Sequence, residues 1–233
     1  MLIFLDIETT GLEVGDKVCS VAVLDEKDYI YELVNEGKKI PPKASSIHHI
    51  TNEMIKNSPK LTQTQAWEYL QEHNQKENII IGHNIAFDFS FLSSEGFIWT
   101  GQVIDTLRVS KHLLPECESF SLQVLRYELK LYRDEIALAQ KYGIKDALNA
   151  HNALSDTLVV KLLFDTLLEL ASSDEMVELS FKKVLLSKFS FGKYTNRYME
   201  EIAMSDRAYL EWMLNLADID EDLRYSLEYY LQG

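Results

Sequence analysis

FLDIETTGL, residues 4–12, decides how this chain is read. Residues 1–5, MLIFL, are an apolar run with a turn signal close behind, which predicts a short buried strand. Side chains on a strand alternate between faces, so Asp6 and Glu8 point the same way. Neighbouring carboxylates repel each other and are costly to take out of water. A shared cation removes that repulsion. The alternative is a solvated strand end beside the Thr10-Gly11 turn.

Two further stretches bear on that choice. In GHNIAFDFSFL, residues 82–92, Gly82 closes an apolar run, so His83 and Asn84 fall in a strand-to-helix connection. Asp88 then lies on about the first turn of the helix. By itself it reads as an acid at a helix start, where negative charge is favoured. In HNALSDT, residues 151–157, the spacing of His151 and Asp156 is informative. Five helical residues turn by about 500°, which leaves two side chains roughly 140° apart. The pair can address one site only if His151 precedes the helix and Asp156 projects from its first turns. A lone histidine is otherwise an ordinary surface or core residue.

The rest of the chain supplies the frame. Residues 17–24 and 29–34 are β-rich and, with residues 2–6, predict three adjacent antiparallel strands. Residues 78–81 and 102–104 predict a fourth and a fifth. Helices are expected over 61–75, 86–94, 106–114, 121–129 and 152–171, with one helical turn at 51–55. Residues 35–46, with a Pro-Pro pair, read as a loop, and 131–144 as ambiguous. Three strands followed by strand–helix alternation predict an α/β protein with a mixed sheet and helices on its faces. The polar SSDE at 172–175 suggests a boundary, giving domains 1–172 and 173–233. Past it, residues 181–198 carry Lys182, Lys183, Lys188, Lys193 and Arg197 and no acid. Phe181, Phe189, Phe191, Tyr194 and Tyr198 are interleaved with them, as core of a small domain or as a surface for single-stranded nucleic acid. Residues 206–231 predict two helices around an acidic DIDED.

Composition narrows the function. The 233 residues are 46% hydrophobic and 26% charged, as in globular proteins with a real core. Cys19 and Cys117 form no CxxC pair, so neither a disulfide framework nor a zinc site is expected. The N-terminus has no basic flank, and no apolar run approaches the ~20 residues of a membrane span; a cytoplasmic protein without membrane contact is expected. A net charge of −14 argues against a protein that coats duplex DNA. It leaves room for an enzyme that meets phosphate through divalent metals.

Taken in order, the three stretches resemble the DEDD exonuclease superfamily in its histidine-containing branch, of the exonuclease X type and related to the polymerase III proofreading subunit. The family pattern is D-x-E, then GHN-x-x-FD, then H-x-A-x-x-D. It stands here as Asp6-Ile7-Glu8, Gly82-His83-Asn84-Ile85-Ala86-Phe87-Asp88 and His151-Asn152-Ala153-Leu154-Ser155-Asp156. Asn152 occupies the place where the tyrosine branch would have Tyr. The resemblance covers residues 2–171 and implies a ribonuclease-H-like fold with a mixed five-stranded sheet. It implies two Mg²⁺, with Mn²⁺ able to substitute, held by Asp6, Glu8, Asp88 and Asp156, and His151 as general base. The implied reaction is 3′→5′ hydrolysis of DNA from a single-stranded 3′ end, releasing nucleoside 5′-monophosphates, in DNA repair. Thr9, Gly11 and Leu12 would line the terminal-nucleotide pocket, Asn84 would help position the strand, and His48, in PPKASSIHHIT, would face substrate. His49 stands where many relatives have Gly. FGKYTNRYMEEI and the residues after it resemble the small domain of exonuclease-X-like proteins, with Thr195-Asn196 in place of the usual Lys-Gly. RNA trimming, polymerase proofreading and a non-catalytic binding module are the competing functions.

Overall fold

The computed structural model describes residues 1–145 and 149–232. Strands β1 (Leu2–Thr9), β2 (Val18–Leu24), β3 (Tyr29–Leu33), β4 (Ile79–Gly82) and β5 (Gln102–Asp105) form one sheet in the order β3-β2-β1-β4-β5. The first three are antiparallel, and β4 and β5 run parallel to β1. This is the mixed five-stranded sheet that was expected.

The helices are α1 (Pro42–His48), α2 (Gln65–Glu72), α3 (Ile85–Ser94), α4 (Thr106–Leu113), α5 (Leu122–Glu128), α6 (Glu135–Lys141), α7 (Ala153–Leu167), α8 (Ser173–Leu179), α9 (Met199–Ser205), α10 (Arg207–Leu214) and α11 (Glu221–Gln232). None is long and apolar enough to cross a membrane. Phe4, Ala22, Leu24, Ile81 and Ile104 point to one face of the sheet, into a core shared with Val109 of α4, Leu125 of α5, Ala139 of α6 and Leu158 of α7. Ile3, Leu5, Ile7, Val21, Val23 and Ile80 point the other way, against Ala66 and Leu70 of α2 and Ile85 and Leu92 of α3. By the same alternation Asp6 and Glu8 follow Phe4 towards α7. That helix is buried at eleven of its fifteen positions, which accounts for its dense leucines.

Three expectations change. α1 begins inside the stretch read as a loop, because Pro42 sits in the helix's first turn, where a missing N–H costs nothing. The helix expected over 61–75 is a 3₁₀ turn at Leu61–Gln63 followed by α2, whose start is set by Thr64 accepting from the Trp67 N–H at 3.1 Å. SSDE is a capping box that opens α8: the Ser172 hydroxyl accepts from the Glu175 N–H and the Glu175 carboxylate from the Ser172 N–H. Met176 of α8 lies in the core beneath the sheet, and the Ser180 hydroxyl accepts from the Asp105 N–H at 2.9 Å. This helix packs with the larger body, although it lies past residue 172.

A smaller core follows, built from Phe189, Met199, Ile202, Leu210, Met213, Leu223 and Leu227. Here α10 and α11 are the two helices expected around DIDED. Phe189 is core, whereas Phe181 and Phe191 are 72% and 54% exposed. Of the cations in the basic stretch, Lys182 pairs with Glu178, Lys188 with Glu116, Lys193 with Asp206 and Arg197 with Glu201. The small domain meets the body where Arg108 donates to both oxygens of Asp222, at 2.7 and 3.0 Å.

Candidate active site

The site lies at the carboxyl ends of the parallel strands, where β1 has β2 on one side and β4 on the other. β4 pairs with β1 only as far as Phe4, since the chain then leaves Gly82 for α3. The edge of β1 beyond Phe4 is therefore open to other partners. The Ile7 N–H uses this freedom to donate to Asp88 Oδ1 at 3.1 Å, which fixes Asp88, only 3% exposed, against the strand. A register shift between Glu8 and Thr9 interrupts the pairing with β2, which resumes at Thr9 with Val18, and re-aims the chain into the next loop.

Asp156 reaches the same place from the first turns of α7. Asn152 caps that helix, its side-chain oxygen accepting from the Ser155 N–H at 3.2 Å. His151 therefore precedes the helix, as the spacing argument required. It is exposed and left-handed (φ 58°), and its backbone N–H donates to Asp156 Oδ2 at 3.1 Å. Asp156 Oδ1 accepts from Gln123 Nε2 at 2.7 Å. One carboxylate thus ties together α7, α5 and the histidine loop.

One oxygen each of Asp6, Glu8 and Asp156 lie within 4.8 Å of one another. Asp88, fixed beside the strand at Ile7, is near enough to repel Asp6. Among the described residues, no protein donor reaches the Asp6 or Glu8 carboxylate. Burial, then repulsion from Asp88, Asp156 and Glu8, holds the Asp6 carboxyl well above the usual carboxylate range. Burial and Asp156 push Glu8 up to about 8. Burial raises Asp156 to about 6 against the opposing pull of His151 and Gln123, and burial also raises Asp88. A partly buried cluster of oxygen donors, short of counter-charge, fits a hard divalent cation.

The loop after β1 is organised by a residue the sequence reading did not single out. Asp16 accepts from the Thr10 hydroxyl and the Glu13 N–H, both at 2.8 Å, and pairs with Lys38. A Cβ on Gly11 would collide with the Asp16 carboxylate, so glycine permits this closure. Thr9 is buried with its hydroxyl donating to the Gly11 carbonyl at 2.7 Å, while Leu12 is 81% exposed at the loop tip. His48 is only 4% exposed. Its Nδ1 accepts from the Ile50 N–H at 3.0 Å and its Nε2 lies 3.8 Å from Cys19 Sγ. It is turned inward by α1, beside the Thr9 backbone, rather than to open solvent. His49 takes the left-handed conformation that ends α1 (φ 62°), the backbone a glycine would supply.

Asn84 is exposed and left-handed (φ 63°), held there by its N–H donating to Asp105 Oδ1 at 2.9 Å. Asp105 also caps α4, a role legible in an acid between an apolar run and a helical pattern. His83 is turned inward. The Phe120 carbonyl can only accept, so Nε2 carries the hydrogen at 2.8 Å, and Nδ1 lies 2.9 Å from the Thr106 hydroxyl, whose single hydrogen is shared between it and the Gly82 carbonyl at 3.0 Å. This fastens the segment ahead of α5. Gln123 had no sequence signal.

Comparison with known proteins agrees with this geometry. The family profile described as "Exonuclease" matches residues 3–164, and "Exodeoxyribonuclease X-like C-terminal" matches residues 189–217. Exodeoxyribonuclease 10 of Escherichia coli K12 is 27% identical, with all of both chains covered. The 3′-5′ exonuclease DinG of Bacillus subtilis is 30% identical over 72% of this chain and 17% of its own. A solved structure, exonuclease X in complex with 5′ overhanging duplex DNA, superposes with a TM-score of 0.60 at 23% identity, covering 77% of this chain and 99% of that one. The profile spans the whole sheet and each of the acids gathered at its end, which makes this chain a member of the exonuclease family.

Proposed function

We propose that this protein is a metal-dependent 3′→5′ exodeoxyribonuclease that hydrolyses phosphodiester bonds at a single-stranded 3′ end of DNA, releases nucleoside 5′-monophosphates and serves DNA repair. The observation that carries the reading is the convergence of Asp6 and Glu8, half-buried and without protein donors, with the buried Asp156 and Asp88 and an exposed His151. Family membership supplies the reaction class, and a relative matched over its full length bears the name Exodeoxyribonuclease 10. The match of a separate C-terminal profile favours that kind of protein over a polymerase proofreading subunit.

Asp6, Glu8, Asp88 and Asp156 would hold two Mg²⁺, or Mn²⁺ in their place. When bound, such ions make water nucleophilic near neutral pH and neutralise charge on a transferring phosphate. His151 accepts a proton from the attacking water, and the bond from its backbone to Asp156 keeps its loop beside the acids. Leu12 offers an apolar surface to the terminal base, and Thr9 and Gly11 shape the loop that presents it. Asn84, at the mouth, positions the strand. His48, buried beside the Thr9 backbone, supports the loop after β1 from within.

The test uses 3′-labelled single-stranded DNA and RNA of one sequence with purified protein and Mg²⁺. Labelled mononucleotide should leave the DNA, EDTA should stop the reaction, and Mg²⁺ or Mn²⁺ should restore it. Release from RNA alone would overturn the choice of substrate. Hydrolysis that survives rigorous chelation would overturn the metal assignment.

A further inference from the structure

Gln123 lies outside the motifs, yet its side chain touches the acid cluster. Its amide bridges two groups that fix its orientation. Arg126 Nη1 donates to Gln123 Oε1 at 3.2 Å, and Gln123 Nε2 donates to Asp156 Oδ1 at 2.7 Å. An arginine has no acceptor and an ionised carboxylate no donor, so the amide fits this gap in one orientation only. Arg126 is itself held by a fork of hydrogen bonds to both oxygens of Glu135, and both residues are buried. Leu125 anchors α5 in the core, and His83 holds the Phe120 carbonyl just ahead of the helix. The amide therefore stands on a fixed base.

We infer that Gln123 is a positioning residue for metal binding: the chain Glu135–Arg126–Gln123 sets the orientation in which Asp156 meets a divalent cation. This rests on the metal reading of the site given above. The arrangement has a chemical logic. A lysine or arginine placed directly on Asp156 would orient it but also offset the negative charge that draws the cation. An amide orients the carboxylate and leaves its charge intact. Glu135 neutralises the arginine behind it, so the relay brings no net charge to the site. With Oδ1 held by Gln123 and Oδ2 by the His151 N–H, Asp156 has little rotational freedom left, and one of its oxygens stays within 4.8 Å of oxygens of Asp6 and Glu8. Partners of this kind, behind the ligands themselves, are commonly worth about 10–100-fold in metal affinity.

The test is Mn²⁺ binding without substrate, followed by the electron paramagnetic resonance signal of free Mn²⁺, for wild type and Gln123→Met. The methionine keeps the length of the side chain and removes its hydrogen bonds. Binding should weaken by about 10–100-fold, while the unfolding temperature in EDTA stays near that of wild type. Turnover should recover at saturating Mn²⁺ with KM for the oligonucleotide unchanged. Equal Mn²⁺ affinity in the two proteins would overturn the inference and leave the metal reading standing. Absence of Mn²⁺ binding by wild type would overturn the metal reading itself. If Gln123→Met does not fold, the wild-type side-chain amide decides. Protection of its Nε2 protons from solvent exchange in the Mg²⁺-loaded protein supports the contact, and exchange at the rate of a free amide overturns it.

Discussion

Asp6, Glu8 and Asp156 converge in a way that only a cation makes inexpensive, and this gives the metal-free protein a distinctive pH response. Glu8 is pushed from about 4.5 to about 8, and Asp156 to about 6 from about 3.8. Between about pH 4 and pH 8 the folded chain retains protons that the unfolded chain has released. Stability in EDTA should therefore fall as pH rises through that window, and Mg²⁺, which binds the ionised acids, should restore it. An unfolding temperature in EDTA that climbs from pH 5 to pH 8 would contradict this. Asp6→Asn removes one repelling charge and should unfold at a higher temperature than wild type in EDTA at pH 8, while losing activity. His151→Ala should lower turnover by roughly 10²–10⁴-fold with little change in oligonucleotide affinity. Normal turnover would make the residue a bystander. The acids and His151 were legible in the sequence because their chemistry restricts residue type and order. Gln123 was not, since its meaning comes from the docking of α5 against α7, across a separation of 33 residues from Asp156.

At the scale of elements, the sheet was legible because its strands are short apolar runs between turn signals. Asp6 and Glu8 could be placed on one face from periodicity alone. α1 and α8 were hidden by their own start signals. The Pro-Pro pair and the SSDE run punctuate a chain, and punctuation marks a loop or a helix start equally well until packing decides. The loop after β1 shows the complementary limit: its glycine was visible, but the carboxylate it must clear was not. Gly11→Ala should drive that loop off Asp16 and displace Leu12. Catalytic efficiency on an oligonucleotide should drop by at least about tenfold, some 1.4 kcal/mol, with Mn²⁺ binding unchanged because no acid of the cluster moves. A Gly11→Ala protein with wild-type kinetics would show that the loop does not shape the substrate site.

Across the whole molecule, charge and its pairing decide how a strand can be held. The chain carries −14, and among the described residues four of the five cations in the basic stretch that stood out in the sequence, all but Lys183, are answered by acids from α4's trailing segment, α8, α9 and the turn before α10. Sequence shows the run of cations but not the partners that folding brings to them. Released counterions scale with phosphates neutralised by free cations, so this stretch should contribute little to the salt dependence of binding. Phe181 and Phe191 stay exposed, and base stacking on an aromatic ring is worth roughly 1–3 kcal/mol. If the small domain grips single strand, stacking is the means left to it. The double substitution Phe181→Ala and Phe191→Ala should then weaken binding to a long single-stranded oligonucleotide by at least about tenfold, measured by fluorescence anisotropy with Ca²⁺ in place of Mg²⁺. The slope of log K against log salt should stay as in wild type, and hydrolysis of a dinucleotide should be untouched. Unchanged affinity would remove these rings from strand binding, and a shallower slope would show that the paired lysines open to meet phosphate.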